Sequence, residues 1–374
     1  MISVLVAGDF VPYERTIPLV EQNCFDEIFG TTTKITKDVD YSIGNFESPV
    51  VLNKAFRIIK TGPNIKCSKK ALEAVRFAGF NCVTLANNHF YDYGDIGVKD
   101  TIEACSSLEI DYVGGGNNID EANRILYKKI KDKVVAIINV CENEWSIASE
   151  SHGGSAPLNF VSVYNNIQLA KDQADFILLI IHGGTEHYNL PSLRMQENYR
   201  FFIDAGADAV VNHHQHCYSG YEIYKNKPIF YGIGNFCFDL GRDAPNFWKT
   251  GFLVKLFFDK DISFDLIPYL HCDKSPNASY EVDFSEFRKE LEVLNKIILD
   301  KNQLKLKFKQ LAEKESRNYL INFEPFKNRL ISSLQYRNIL PLMCGKQKLR
   351  VIYALNRCES HRDLLFEIIK NRIK

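Results

Sequence analysis

Several short apolar runs in this 374-residue chain end directly on a side chain able to bind a metal or move a proton. Asp9 follows SVLVAG and Glu47 follows YSIGNF. Asn88 and His89 follow VTLAN, His182 follows FILLII, and His213, His214 and His216 follow DAVVN. Runs rich in β-branched and aromatic residues and bounded by turn signals read as strands. In sheets with parallel strands, the carboxyl ends form the crevice where ligands bind. Side chains as distant in sequence as Asp9 and His216 are therefore expected to converge.

Strands are predicted at 3–7, 41–43, 82–85, 134–140, 176–181, 209–211 and 229–232, with helices at 69–78, 95–108 and 193–205. This alternation is the mark of repeated β-α units. Two further runs, 252–258 and 262–267, flank Asp259-Lys260-Asp261 as a hairpin. From about residue 283 the period changes. Phe284, Phe287, Leu291, Leu294 and Ile298 recur at three- and four-residue steps, which predicts a long amphipathic helix. The chain thus divides into an α/β domain at 1–280 and a basic helical C-terminal extension at 281–374. That extension holds 20 Lys/Arg against 12 Asp/Glu in a chain of zero net charge. The surplus fits a solvated helical face, or contact with an anionic partner.

Hydrophobic content of 45% with 25% charged residues excludes disordered and fibrous classes. The start, MISVLVAGD, lacks a basic n-region, and no apolar run approaches the roughly 20 residues of a membrane span. No transmembrane segment and a cytoplasmic location are expected. Ten scattered cysteines without a C-x-x-C pair read as reduced thiols. No specific nucleic-acid signal stands out, and nothing in the sequence sets the oligomeric state.

Six of the nine histidines, His89, His182, His187, His213, His214 and His216, lie within or beside the strand ends. Carboxylate, amide and imidazole donors without thiolate suit Mn, Fe or Zn, in a number sufficient for two divalent ions. Single positions carry bland alternatives. Asp9 after Gly8 also fits a turn, Glu47 a loop acid, and Asp92 or Asp95 a helix cap. His214 and His216, two residues apart, project to one face of an extended strand, or toward adjacent ions if the backbone turns. Glu186 and His187 strengthen the site reading of His182.

Gly8-Asp9, Gly44-Asn45-x-Glu47, Asn87-Asn88-His89 with Asp92-x-Gly94, His182-Gly183-Gly184-x-Glu186, His214-x-His216 and Gly234-Asn235-Phe236 occur in one order. In this the chain resembles the CapA (poly-gamma-glutamate capsule biosynthesis) family, a variant of the calcineurin-like metallophosphoesterases. The resemblance covers roughly residues 2–239. It implies a four-layer α/β/β/α sandwich and a metal set of Asp9, Glu47, Asn88, His182, His214 and His216. It further implies that His89 is the catalytic histidine, protonating a leaving oxygen. Asp92 would orient it, His213 or Asn45 would steady developing charge, and Glu186 is expected as a further catalytic residue. Val11 occupies the place where the superfamily has a further histidine.

Two functions follow as expectations. One is a metal-dependent hydrolase of a phosphoester or of the glutamyl amide of an anionic polymer. The other is a non-catalytic, polymer-binding assembly factor.

Overall fold

The computed structural model describes residues 1–276 apart from 53 and 61, then 278–279, 285–320, 328–342, 344–346, 348–349 and 352. Among these residues the chain forms two main sheets and a two-stranded ribbon. The first sheet runs β16 (Ala278–Ser279), β15 (Ile262–His271), β14 (Thr250–Phe258), β1 (Ile2–Val11), β2 (Tyr41–Phe46), β3 (Cys82–Thr84) and β4 (Asp111–Val113). Strand β13 (Asn235–Phe238) pairs in parallel with the carboxyl end of β1. The second sheet runs β11 (Tyr221–Tyr224), β12 (Lys227–Phe230), β10 (Ala209–His213), β9 (Phe176–His182), β7 (Lys133–Cys141) and β6 (Leu126–Ile130). The ribbon joins β5 (Gly115–Gly116) to β8 (Gly154–Ser155).

Strand alternation explains the layering. In β1, Ile2, Val4 and Val6 enter a core shared with Ile138, Leu179 and Val211 of the second sheet. Leu5 and Ala7, pointing the other way, join a second core with helical residues such as Ile28, Leu72 and Val98. The sheets thus pack face to face, and helices cover their outer faces.

On the first sheet the helices are α1 (Thr16–Glu21), α2 (Phe25–Phe29), α3 (Thr32–Lys37), α4 (Lys70–Phe77) and α5 (Gly94–Ser107). After the short α6 (Ile119–Ala122), α7 (Phe160–Lys171) and α8 (Leu193–Ala205) pack on the second sheet. A short α9 (Asn246–Lys249) leads into β14. The result is the α/β/β/α sandwich.

Strands extend beyond their expected ends where the chemistry begins. Strand β9 runs through His182 and β10 through His213, so these side chains are held by ladder pairing, His213 opposite His182. Helix α7 and strand β13 were not expected. The FVSV opening of α7 favours a strand by propensity, and its Val163, Ile167 and Ala170 stripe prevails by burial.

Compactness divides the chain into Met1–Leu304 and Lys305–Lys374. The first unit includes α10 (Ser285–Leu299), whose Phe287, Leu291, Leu294 and Ile298 are buried in the core between the sheets and their helices. Residues 281–304, grouped with the extension in the sequence reading, therefore include part of the body. Phe284 and the 280/281 boundary lie outside the described residues. Helix α11 (Lys301–Leu320) crosses into the second unit, which also holds α12 (Arg329–Tyr336). The nine cysteines among the described residues are free, and no described helix is long and apolar enough to cross a membrane.

Candidate metal centre

Asp9 lies on β1 at a register shift, opposite Asn45 of β2 and Asn235 of β13. Glu47 follows β2 immediately, and Asn88 and His89 stand in the loop after β3. The parallel ladders bring these ends together with His182 on β9 and the turn after β10. In that turn His214 and His216 have left-handed backbone, with φ of 91° and 54°. Such φ values are uncommon for residues with a Cβ, and strain of this kind clusters at functional sites. The turn sends the two rings different ways, with centroids 6.1 Å apart.

Two donor trios result, Glu47–His182–His214 and Asp9–Glu47–His216, all fully buried, with Glu47 in both. Around His182 Nε2 stand Asn88 Oδ1 at 3.1 Å, His214 Nδ1 at 3.1 Å and Glu47 Oε1 at 3.5 Å. Around His216 Nδ1 stand Asn235 Oδ1 at 2.8 Å and Asp9 Oδ2 at 3.4 Å, while Glu47 Oε1 is 3.9 Å from its Nε2. Asn45 fixes the pair from below. Its Nδ2 donates to Asp9 Oδ1 at 2.7 Å and sits 3.3 Å from His182 Nδ1, and its own oxygen accepts from Thr84 at 3.0 Å.

The residues fit a bound cation. Neither oxygen of buried Glu47 accepts a hydrogen bond, and an ionised carboxylate so placed is costly unless a cation compensates it. Burial, then the charge of Asp9, pushes the Glu47 carboxyl up to about 8. Burial drives His182 down to about 4 and His214 well below its ordinary value, leaving both neutral, the form that ligates metal. Burial also opposes the charge of His216, but Glu47 and Asp9 outweigh it and raise that imidazole to about 9. Asp9 is held well below the carboxylate range. Burial opposes that, and hydrogen bonding to His216 with the fields of His213 and His182 prevails.

Beside the trios, His89 Nδ1 lies 2.7 Å from Asp92 Oδ2, both residues buried. His213 turns Nε2 to the Ala7 carbonyl at 3.1 Å and belongs to neither trio. Glu186 and His187 are exposed at the edge of the site, and Glu186 acts on Glu47 and His182 through its field. Val11 packs with Ile65, Phe238 and Trp248 in a small apolar cluster. Three residues escaped the sequence reading of the site. Glu144, in the loop after β7, reaches His214 Nε2 at 3.4 Å, Asn235 supports His216, and Lys60 pairs with Asp92. Only Asn235 carried a signal, its place in the Gly234-Asn235-Phe236 motif.

The layered sheets and a buried cluster of nitrogen and oxygen donors at their strand ends define an α/β protein with a candidate metal-binding centre. The chain belongs to the bacterial capsule synthesis protein family PGA_cap, whose profile matches residues 3–240. It is 35% identical over 248 residues to the capsule biosynthesis protein CapA of Bacillus anthracis, a match covering 64% of this chain and 60% of that relative. To the PGA biosynthesis protein CapA of Bacillus subtilis (strain 168) it is 31% identical over 244 residues, 64% of each. The matched part is thus less than two thirds of either relative. Among solved structures, a phosphatase from Mycoplasma pneumoniae is similar at a TM-score of 0.47 and 16% identity, over 76% of this chain and 98% of the other. The 5'-nucleotidase of Candida albicans SC5314 follows at 0.42 and 13%, over 84% and 57%.

Proposed function

We propose that this chain is a metal-dependent hydrolase serving capsule-polymer biosynthesis, acting on a phosphoester or on the glutamyl amide of an anionic polymer. The observation that carries the reading is the sharing of Glu47 by two donor trios, next to a separate His89–Asp92 pair. The polymer context comes from the two Bacillus relatives, which are named for capsule and PGA biosynthesis.

Glu47, His182, His214 and Asn88 would hold one divalent ion, and Asp9, Glu47 and His216 a second, with Mn, Fe or Zn suited to the shell. Such ions polarise a phosphoryl or acyl oxygen and lower the pKa of bound water toward 7. The protein's own part is positional. Asp92 holds His89 by Nδ1 and leaves Nε2 to pass a proton to the departing oxygen. Asn45 keeps Asp9 and His182 in place, and His213, bound to the Ala7 carbonyl, fixes the turn after β10 against β1. Glu186 stands exposed at the edge of the site, where its field reaches Glu47 and His182.

Metal analysis of the purified chain, then assays with a generic aryl phosphate and phosphodiester in Mn2+, test the reading. His89→Ala is expected to lower kcat by about 100-fold or more at unchanged metal content. An unchanged rate refutes the acid role.

Val11 favours a second reading, an assembly factor without turnover, because an apolar cluster fills the space of a missing histidine donor. It expects polymer binding with no aryl phosphate cleavage at any metal loading.

A further inference from the structure

We propose that Lys60 is a positioning residue of this centre, clamping Asp92 and through it His89; the inference rests on the hydrolase reading above. Lys60 lies on a surface loop with an inverted pattern. Phe56 is 81% and Ile59 97% exposed, whereas the Lys60 side chain is 3% exposed. Burying an ammonium while its apolar neighbours stay in water opposes the ordinary partition of side chains. A buried ion pair is also weak as a source of stability, since desolvation offsets its attraction. Folding alone therefore gives little reason for the arrangement.

The contacts point to the site. Lys60 Nζ pairs with Asp92 Oδ1. The other oxygen, Oδ2, lies 2.7 Å from His89 Nδ1 and accepts from the Ile65 amide at 2.7 Å. Nζ is also 3.3 Å from His89 Nδ1 and 3.5 Å from the Asn88 carbonyl oxygen. The loop is stitched to the same residue, because Ile58 N and Asn64 Nδ2 both donate to the Asp92 carbonyl. With one carboxylate oxygen committed to Lys60, Asp92 cannot rotate away from the imidazole, so the direction of His89 Nε2 is fixed. Through the Asn88 carbonyl, one ammonium touches the proton donor's support and the backbone of a proposed ligand.

Lys60→Met and Lys60→Arg, each at measured metal content, test this with an aryl phosphate. In Lys60→Met, kcat is expected to fall about 10- to 100-fold, with KM within about twofold and metal unchanged. Lys60→Arg should recover most of the loss. An unchanged kcat, or a fall matched by metal loss, overturns the proposal. Should Lys60→Met fail to fold, Lys60→Met/Asp92→Asn removes both charges, and wild-type kcat in that variant overturns it equally. If the metal-loaded wild type cleaves nothing, the hydrolase reading fails, and the clamp is judged by proton NMR. A downfield His89 Nδ1 proton that broadens or shifts in Lys60→Met supports it, and one that is unmoved overturns it.

Discussion

In the proposed centre, Glu47 concentrates the chemistry in one side chain, since both donor trios share it. Its raised carboxyl holds a proton at neutral pH that a cation must displace. Ligation needs Glu47 deprotonated and His216 neutral, so apparent metal affinity should rise as pH climbs from 6 through about 8 and level off only above about 9. The slope is up to about a hundredfold per unit where both protons are displaced, and about tenfold where only that of His216 remains. Isothermal titration with Mn2+ in that range checks the sign, and affinity independent of pH contradicts it. Glu47→Gln keeps the shape of the protonated group. In chelator its melting temperature should match or exceed that of the wild type, while the rise on adding Mn2+ disappears.

At this scale the sequence was informative where a polar residue closes an apolar strand, as at Asp9, Glu47, Asn88, His182 and His216. It was silent on Lys60 and Glu144, whose loops have no periodicity and owe their place to tertiary contacts. It also left open how His214 and His216 divide, which the left-handed turn decides.

Among the elements, the pairing of β1 with β13 sets the site's depth. A Cβ on Gly8 would stand 1.9 Å from the Gly234 carbonyl oxygen, and Gly234 itself has φ of 78°. Gly8 is therefore a close-approach glycine that lets Asn235 lie beside Asp9, rather than a turn former. Gly8→Ala is expected to cost about 2–3 kcal/mol in urea unfolding and to weaken metal binding with it. A loss within about 0.5 kcal/mol, the range of an ordinary surface change, contradicts the close packing. The repeated β-α units were legible because their strands are apolar and bounded. Strand β13 was not, being short and defined by its partner.

For the molecule as a whole, the compact unit is completed by α10. Phe287 stacks edge-on with Tyr218 at 4.8 Å, Asn295 Oδ1 accepts from the Tyr221 amide at 2.7 Å, and the Ile298 carbonyl accepts from Gln196 Nε2 at 2.8 Å. Leu294→Ala should cost about 2–5 kcal/mol, as for a core leucine, and a neutral result in chemical unfolding would place α10 outside the core. The 3.6-residue stripe disclosed this helix in the sequence. Its partners, Tyr218 and Tyr221, were not readable because no local pattern links them to it.

Glu47, shared by both donor trios, is proposed to join two cation sites. Electron paramagnetic resonance during an Mn2+ titration tests it most directly, with bound metal counted in the same samples. Two ions per chain giving an exchange-coupled signal, lost in Glu47→Gln, is the expected result. A single uncoupled ion, or coupling that survives Glu47→Gln, contradicts it.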